Sequence, residues 1–431
     1  MDRIENLIEN LNHAQREVRL QAVRDLKQAV DHGDIPSVPR QDECNNHVHS
    51  QYSFSPYSPS KIAWKAYTVG LTTCGIVDHE SVAGCLEFKE ACAILGVIPT
   101  VGFEVRLNWD NTPLKGKKFN NPDQLSVGYF PVHGVPISSL GKIEEFLVPI
   151  REAREIRNRA MVKKVDAILS NYGMNLDFDA HVIPVSRWKE KGTITERHLL
   201  FATGQRMIEK YGRGQALVDF LEKKLEIPLS GKVKEYLLDT ASPIYDYDLT
   251  NLLKGFFSEN MYVPANAQET PDVEKTIPFL NSLGCIPTYT YLGDVRGESV
   301  TGDKKTQKFE DDILDDLFKY VSEYGMQGFS YAPSRNSEDQ VKRVRDLCAR
   351  YNMLEVCGED INQPRQPFIN TTLTAEEKKY FDDVAWAVIG HEKVADGALE
   401  RGILSEETKR KYPSVQERIR VFREYVTNSQ C

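Results

Sequence analysis

An α/β fold built largely on parallel strands is what this sequence predicts, and three observations carry that prediction. Short apolar runs alternate with amphipathic helical stretches early in the chain. The same alternation returns between about residues 260 and 365. The apolar runs also end in His, Asp, Glu or Asn side chains. Repeated βα units imply parallel strands with crossover helices, and so a barrel or a doubly wound sheet. A polar group at the C-terminal end of a strand is the barrel expectation.

Taken in order, residues 3 to 31 set Ile4, Leu7, Ile8 and Leu11 at helical spacing and predict one or two amphipathic helices before the turn-rich DHGDIPSVPRQDE. The main domain opens near residue 42 with CNNHVHS. KIAWKAYTVG then reads as a helix, TTCGIVD as a strand, VAGCLEFKEACAILG as a helix and VIPTVGFEV as a strand. In the late block a helix from Asp272 to Leu283 leads into GCIPTYTYLGD, KFEDDILDDLFKYVSEYG leads into MQGFSYAP, and EDQVKRVRDLCARYN leads into MLEVCGED. Between the blocks lies a long charged helix, roughly Ile143 to Tyr172, followed by shorter ones and few strand-like runs. The expected division is a helical extension over 1–41, the first part of the barrel over 42–112, a mostly helical insertion over 113–259, the second part of the barrel over 260–372, and a helical extension over 373–431.

A chain of 431 residues can bury a sizeable core, as one large domain with appendages or as two or three smaller ones. Its formal net charge of −9 argues against a dedicated nucleic-acid surface, while leaving room for a local basic pocket. No run approaches the ~20 apolar residues of a membrane span. The N-terminus mixes charges into its helical period, unlike a secretory signal. No membrane partner and a cytoplasmic location are therefore expected. The cysteines at 44, 74, 85, 92, 285, 348, 357 and 431 form no CxxC pair and read as buried reduced thiols.

His47 and His49 stand one residue apart in a strand-like run, so both imidazoles point to one side and can share an ion. Two polar residues on the solvent face of a strand would look the same. The neighbouring strand ends change that balance: Asp78-His79-Glu80, Gly102-Phe103-Glu104 and Gly358-Glu359-Asp360-Ile361-Asn362 all offer metal-competent groups at matching topological positions. GRG at 212–214 lacks the Gly-Lys-Ser/Thr ending of a phosphate loop. The aromatic run YSFSPY reads as packing at the barrel mouth, with Tyr52 or Tyr57 able to stack on a ring-bearing substrate.

In this order, HVHS with Ser53 four residues past the second His, then VDHE, GFEV and GEDIN resemble the motifs of the polymerase-and-histidinol-phosphatase (PHP) family. Within the central segment, REIRNRAMVKKVDAILSNYGM and TERHLLFATGQRMIEKYG resemble the helical insert of the subset acting on small phosphoesters and short nucleotides. Members include histidinol phosphate phosphatases, nucleotide and cyclic-phosphate phosphoesterases, and exonuclease domains of bacterial DNA polymerases. The resemblance implies a distorted (β/α)7 TIM-like barrel with a mostly helical insertion and helical extensions. It also implies up to three metal sites. The first maps onto His47, His49, Glu104 and Asp360, all present. The second shares the glutamate and adds two histidines, which would fall near Leu125 or Ser126 and near Tyr291 and are missing. The third adds a group near Ser55, His79, and a closing histidine whose place is taken by Asn362, an oxygen donor better suited to manganese or magnesium than to zinc. His133, in FPVHGVP, is expected to be an exposed loop residue, with a substitute-ligand role as the alternative.

The resemblance implies a divalent ion, Zn, Mn or Fe, at one site, with room for a second. It also implies a metal-dependent phosphoesterase or phosphatase that uses activated water on a small phosphorylated metabolite or nucleotide. Arg197 and His198 occupy the family's substrate-binding place in the insert. Arg335 and Arg365, which follow barrel strands, are candidates both to bind the phosphoryl group and to offset developing charge, although a lone arginine is ordinarily a surface or ion-pair residue. His79 is the candidate proton donor or second-metal ligand. The alternatives are a protein that binds a phosphorylated ligand as sensor or scaffold, and a mononuclear hydrolase of a non-phosphate substrate. The terminal helices could pack on the barrel or support a homo-oligomer.

Overall fold

Seven strands form one sheet in sequence order in the computed structural model, which describes residues 3–295, 307–332, 335–370 and 373–428. They are β1 (Gln41–Val48), β2 (Leu71–His79), β3 (Ile98–Asn108), β4 (Val127–His133), β5 (Ile286–Tyr291), β6 (Gly328–Tyr331) and β7 (Leu354–Cys357). β1, β2 and β3 pair in parallel, as do β5, β6 and β7. The sheet curls until the chain beyond β7 reaches β1: His49 N–H donates to Ile361 O (2.8 Å) and Ile361 N–H to His47 O (2.9 Å). The seam of this distorted (β/α)7 barrel therefore runs through the two histidines and the GEDIN segment.

One strand departs from the sequence expectation. β4 lies antiparallel to both β3 and β5, inside the stretch expected to hold little strand. Its Pro131 lacks a ladder donor, which made FPVHGVP look like a loop. The Pro131 carbonyl instead accepts from Thr288 Oγ1 (2.9 Å), tying β4 to β5. His133 accordingly sits on a strand at 2 % exposure, which corrects its placement in an exposed loop.

The crossover helices begin at recognisable caps. Ser58 accepts from Lys61 N–H ahead of the helix Pro59–Thr68, with proline in the first turn, and Ser337 and Gln340 make a capping box for Glu338–Tyr351. Between β4 and β5 run the helices Leu140–Ser170, Glu196–Tyr211, Gln215–Lys223, Gly231–Leu238 and Tyr245–Met261. Their apolar faces, with Met161, Leu200, Leu217, Leu249 and Phe257, form a cluster separate from that of the barrel. At the opposite end, the helix Ala375–Gly397 closes the base, and Glu392 accepts the Val101 N–H of β3 (2.9 Å). The N-terminal helix Arg16–Asp31 docks through a buried Arg19–Glu87 ion pair. All seven described cysteines are free thiols, six of them buried, and Cys431 lies outside the described residues. Among the described residues no helix is long and apolar enough to cross a membrane.

Candidate metal centre

The period-two alternation of β1 turns His47 and His49 to the same side, at the C-terminal mouth of the barrel. GEDIN can press against them because residue 358 is glycine: a Cβ there would lie 2.5 Å from His47 Cβ. Asp360 follows with φ 46°, a left-handed turn that aspartate tolerates better than most residues. The outcome is a convergence of donors. His47 Nε2 and His49 Nε2 are 3.2 Å apart, and Asp360 Oδ1 lies 3.1 Å from His49 Nε2 and 3.9 Å from His47 Nε2. Glu104 Oε1 is 3.9 Å from His47 Nε2, and its Oε2 is 2.7 Å from His79 Nδ1.

The electrostatics follow from burial working against opposite charges. Burial lowers His47 below its ordinary value despite the nearby carboxylates of Asp360 and Glu104. Burial alone would raise Asp360, but the hydrogen bond from His49 and the charges of the three histidines hold it well below the carboxylate range. Burial would likewise raise Glu104, and His79 brings it down. Two imidazole nitrogens about 3 Å apart beside carboxylates are poor company without an ion. Bonds of ~2.0–2.1 Å to a tetrahedral ion require donor separations near 3.3 Å. His47, His49 and Glu104 form a cluster that can bind a metal, their ligand atoms all within 4.8 Å of one another, and the half-exposed Asp360 carboxylate completes the rim.

The centre opens into a cavity of about 770 Å³ between the barrel mouth and the insertion helices. His79, Arg197, Arg335 and Asn362 line it beside the cluster. Asn362 Nδ2 donates to Asp360 Oδ1 (3.1 Å), which leaves its buried Oδ1 without a hydrogen-bond partner among the described residues. Arg197 Nη1 donates to Asn251 Oδ1 (3.2 Å), and Arg335 Nε to Leu292 O (3.2 Å).

Other expected residues are not brought there. Arg365 is outside the cavity lining: Asp248 takes its guanidinium (Nε–Oδ1 2.7 Å) and it stacks 3.7 Å over the Tyr236 ring. His198, at 1 % exposure, is also outside the lining. Its Nδ1 accepts Thr195 N–H (3.0 Å) as the cap of Glu196–Tyr211, and burial pushes it down to about 3. Ser55 is buried with its Oγ on Tyr57 N–H (3.3 Å). Tyr52 and Tyr57 are buried outside the lining, and it is Phe54 that faces the cavity. At the second-site positions, Leu125 is exposed, Ser126 Oγ accepts Gly116 N–H (2.6 Å), and Tyr291 turns away to Asp311 Oδ1 (2.5 Å), so that Thr290 and Leu292 line the cavity instead. His133 stacks edge-on to His47 at 6.4 Å, and burial lowers it to about 3.

Sequence reasoning missed a closed circuit of charge in the cavity wall: Glu80–Arg106–Glu269–Arg157–Glu196–Arg154 and back to Glu80. Arg106, Arg154 and Arg157 line the cavity. Arg106 was legible, being two residues past Glu104 on the same strand face. Arg154 and Arg157, three apart on the long helix, were also legible as one helical face.

Comparison with known proteins fits this geometry. The model of the PHP domain matches residues 45–263, just over half of the chain. The chain belongs to the PHP family. The match takes in His47, His49 and Glu104, with Asp360 beyond it. A crystal structure from Bifidobacterium adolescentis, provisionally assigned as a metal-dependent phosphoesterase, covers 79 % of this chain and 95 % of its own at 17 % identity and a TM-score of 0.51. An amidohydrolase from Chromobacterium violaceum, solved with bound sulfate and no metal, covers 76 % and 90 % at 16 % identity and a TM-score of 0.50. These two share the fold. A 5'-3' exoribonuclease of Haemophilus influenzae is 31 % identical over 64 residues, which are 15 % of this chain and only 23 % of that protein. The chain is thus a PHP-domain protein in which His47, His49 and Glu104 form a cluster able to hold a metal ion.

Proposed function

We propose that this PHP protein is a metal-dependent phosphoesterase acting on a small phosphorylated metabolite or nucleotide. The observation that carries the reading is that His47, Glu104 and Asp360, with His49 behind them, face a cavity that guanidinium groups also line. A divalent ion held by those four side chains would supply Lewis acidity and a water acidified toward neutrality. Arg106 and Arg154, their planes set by the carboxylates behind them, would meet phosphoryl oxygens as fixed donors that need no reorganisation. Arg197 and Arg335 would do the same from the insert and from the loop after β6. His79, against Glu104, is positioned to hand a proton to a leaving oxygen. Six cationic and five anionic side chains line the cavity (Arg106, Arg154, Arg157, Arg197, Lys254 and Arg335 against Glu104, Asp123, Glu196, Glu259 and Asp360), which supports a compact anion over an extended polyanion.

The test is elemental analysis of the purified protein, followed by phosphate release from phosphomonoesters, cyclic phosphates and dinucleotides with added Mn²⁺. Release that disappears in His49→Ala and Asp360→Ala is the expected result. Tight binding of a phosphate compound without turnover would replace catalysis by sensing, a second reading favoured by Ser126 and Tyr291 being turned away from the cavity. A protein that binds no divalent ion would refute both.

A further inference from the structure

We propose that Asp78 and Ser53 act as positioning residues for the metal site, by holding the ring hydrogen of His49 on Nδ1 so that its Nε2 lone pair faces the ion. This rests on the metal reading of the cluster above.

Asp78, 2 % exposed at the end of β2, receives three donors: Ser50 N–H on Oδ1 (2.7 Å), Ser50 Oγ–H on Oδ2 (2.6 Å) and Ser53 Oγ–H on Oδ1 (2.6 Å). A carboxylate has no hydrogen to return, so each hydroxyl must spend its only one on Asp78. The Ser50 oxygen then accepts from Tyr52 N–H (3.2 Å). The Ser53 oxygen, 3.1 Å from His49 Nδ1, likewise has only lone pairs to offer. His49 Nδ1 must therefore be the donor. In the metal-free protein a second hydrogen, on Nε2, bonds to Asp360 Oδ1; an ion replaces that one, and the neutral imidazole that remains keeps its hydrogen on Nδ1 and turns its Nε2 lone pair to the ion, between His47 Nε2 and Asp360 Oδ1. The reverse tautomer would aim a hydrogen at the ion. The topology makes the relay local: β1 and β2 are parallel with Val48 opposite Ile76, which brings Ser50 beside Asp78 two residues further on. All three relay residues are buried, so water does not compete for these bonds. Partners of this kind orient a ligating imidazole and raise its basicity.

The experiment measures Zn²⁺ affinity of the full chain by competition with a chelator in wild type, Ser53→Ala, Ser53→Thr and Asp78→Asn. Histidine ¹⁵N spectra of the zinc-loaded proteins are recorded alongside, with the His49 signals assigned by their loss in His49→Gln. Wild type should show zinc on Nε2 of His49 and a slowly exchanging hydrogen on Nδ1. Ser53→Ala should bind zinc ~10–100-fold more weakly and lose that slow exchange, and Ser53→Thr, which keeps the hydroxyl, should recover both. Asp78→Asn can offer an N–H to Ser53, which frees its hydroxyl to donate to Nδ1, and should bind at least as weakly as Ser53→Ala. Unchanged affinity in Ser53→Ala, or zinc on Nδ1 of His49 in wild type, overturns the proposal. Should Asp78→Asn not fold, the Ala and Thr pair at residue 53 still decides it. Zinc binding is read without turnover, so a wild type that binds zinc and hydrolyses nothing ends the phosphoesterase reading and leaves the relay standing.

Discussion

The two ends of this barrel each bury histidine, and they treat it oppositely. At the base, His391 is 2 % exposed with both ring nitrogens matched to backbone: Nε2 lies 2.7 Å from Gly284 O, and Nδ1 accepts Ile403 N–H at 3.0 Å. At the mouth, His47 and His49 are equally buried, yet their Nε2 atoms face each other at 3.2 Å among carboxylates. Nearby, Thr290 Oγ1 and Asn362 Oδ1 have no partner among the described residues. Residue type and burial are the same at both ends; only the fate of the donors differs. A protein interior leaves polar atoms unmatched at a cost of ~1–3 kcal/mol each. Two of them beside a crowded set of imidazoles and carboxylates point to a ligand at the mouth.

The sharpest way to break this contrast is through the charge circuit that binds the mouth to the insertion helices. Glu80 is fully buried between Arg106 and Arg154, so Glu80→Gln strips both guanidinium groups of a counter-charge in a dry setting. Arg106 keeps Glu269 and Arg154 keeps Glu196, so no charge is orphaned, and we expect a loss of ~1.5–3 kcal/mol in equilibrium unfolding, that of a hydrogen bond to a charged group. A smaller loss than for an exposed pair such as Arg420–Glu424 would mean that the circuit is not structural.

The ligands come next. His49→Ala or Asp360→Ala should weaken divalent-ion binding by more than ~100-fold while the metal-free protein still folds, because each removes a donor from the set. His391→Ala should do the reverse. It leaves Gly284 O and Ile403 N–H unpaired, at ~1–3 kcal/mol in unfolding, with ion binding unchanged at temperatures where the variant is folded. Metal titration and melting of the same three proteins test the pair of claims, and an ion-binding defect in His391→Ala would erase the distinction between the ends.

How much of this was legible depends on whether the signal was local. Parallel strands and the polar residues near their ends follow from periodicity within ten or so residues, and the barrel, which the family resemblance implied, is the one of the two sheet forms observed. The donor set at residues 47, 49, 104 and 360 converges because the end of β1, the outer half of β3 and the loop after β7 meet at one mouth. β4 was hidden because Pro131 and Gly128 blur a strand whose antiparallel partners lie at 98–108 and 286–291. Arg365 was misjudged because its counter-charge, Asp248, is 117 residues away in sequence. His198 was misjudged because a capping role depends on where a helix begins, the least certain feature of a sequence reading. Asp78 was quoted as part of a motif without a role, since its three donors become visible only once β1 and β2 are side by side.

The smallest effect is a slope, and it separates the two ends by sign. At the base, burial pushes Glu392 up to about 8 against the pull of the Val101 N–H and Lys89, from an ordinary 4.5. The folded state thus holds this proton more tightly than the unfolded chain. The stability it contributes is complete below the unfolded value and lost as pH rises through about 8. At the mouth, burial alone would raise Glu80, but Arg154 and Arg106 bring it to about 2, so its contribution is present at neutral pH and lost as pH falls from 4.5 through about 2. Acid should therefore loosen the mouth and alkali the base. Glu392→Gln keeps an oxygen for Val101 N–H and has no proton to lose. Denaturant unfolding between pH 5 and 9 should show its alkaline decline reduced by up to ~1.4 kcal/mol per pH unit relative to wild type. Some decline will persist, because burial also pushes Glu310 up to about 8. A Gln variant that follows the wild-type alkaline slope would show that Glu392 is already ionised in the folded protein.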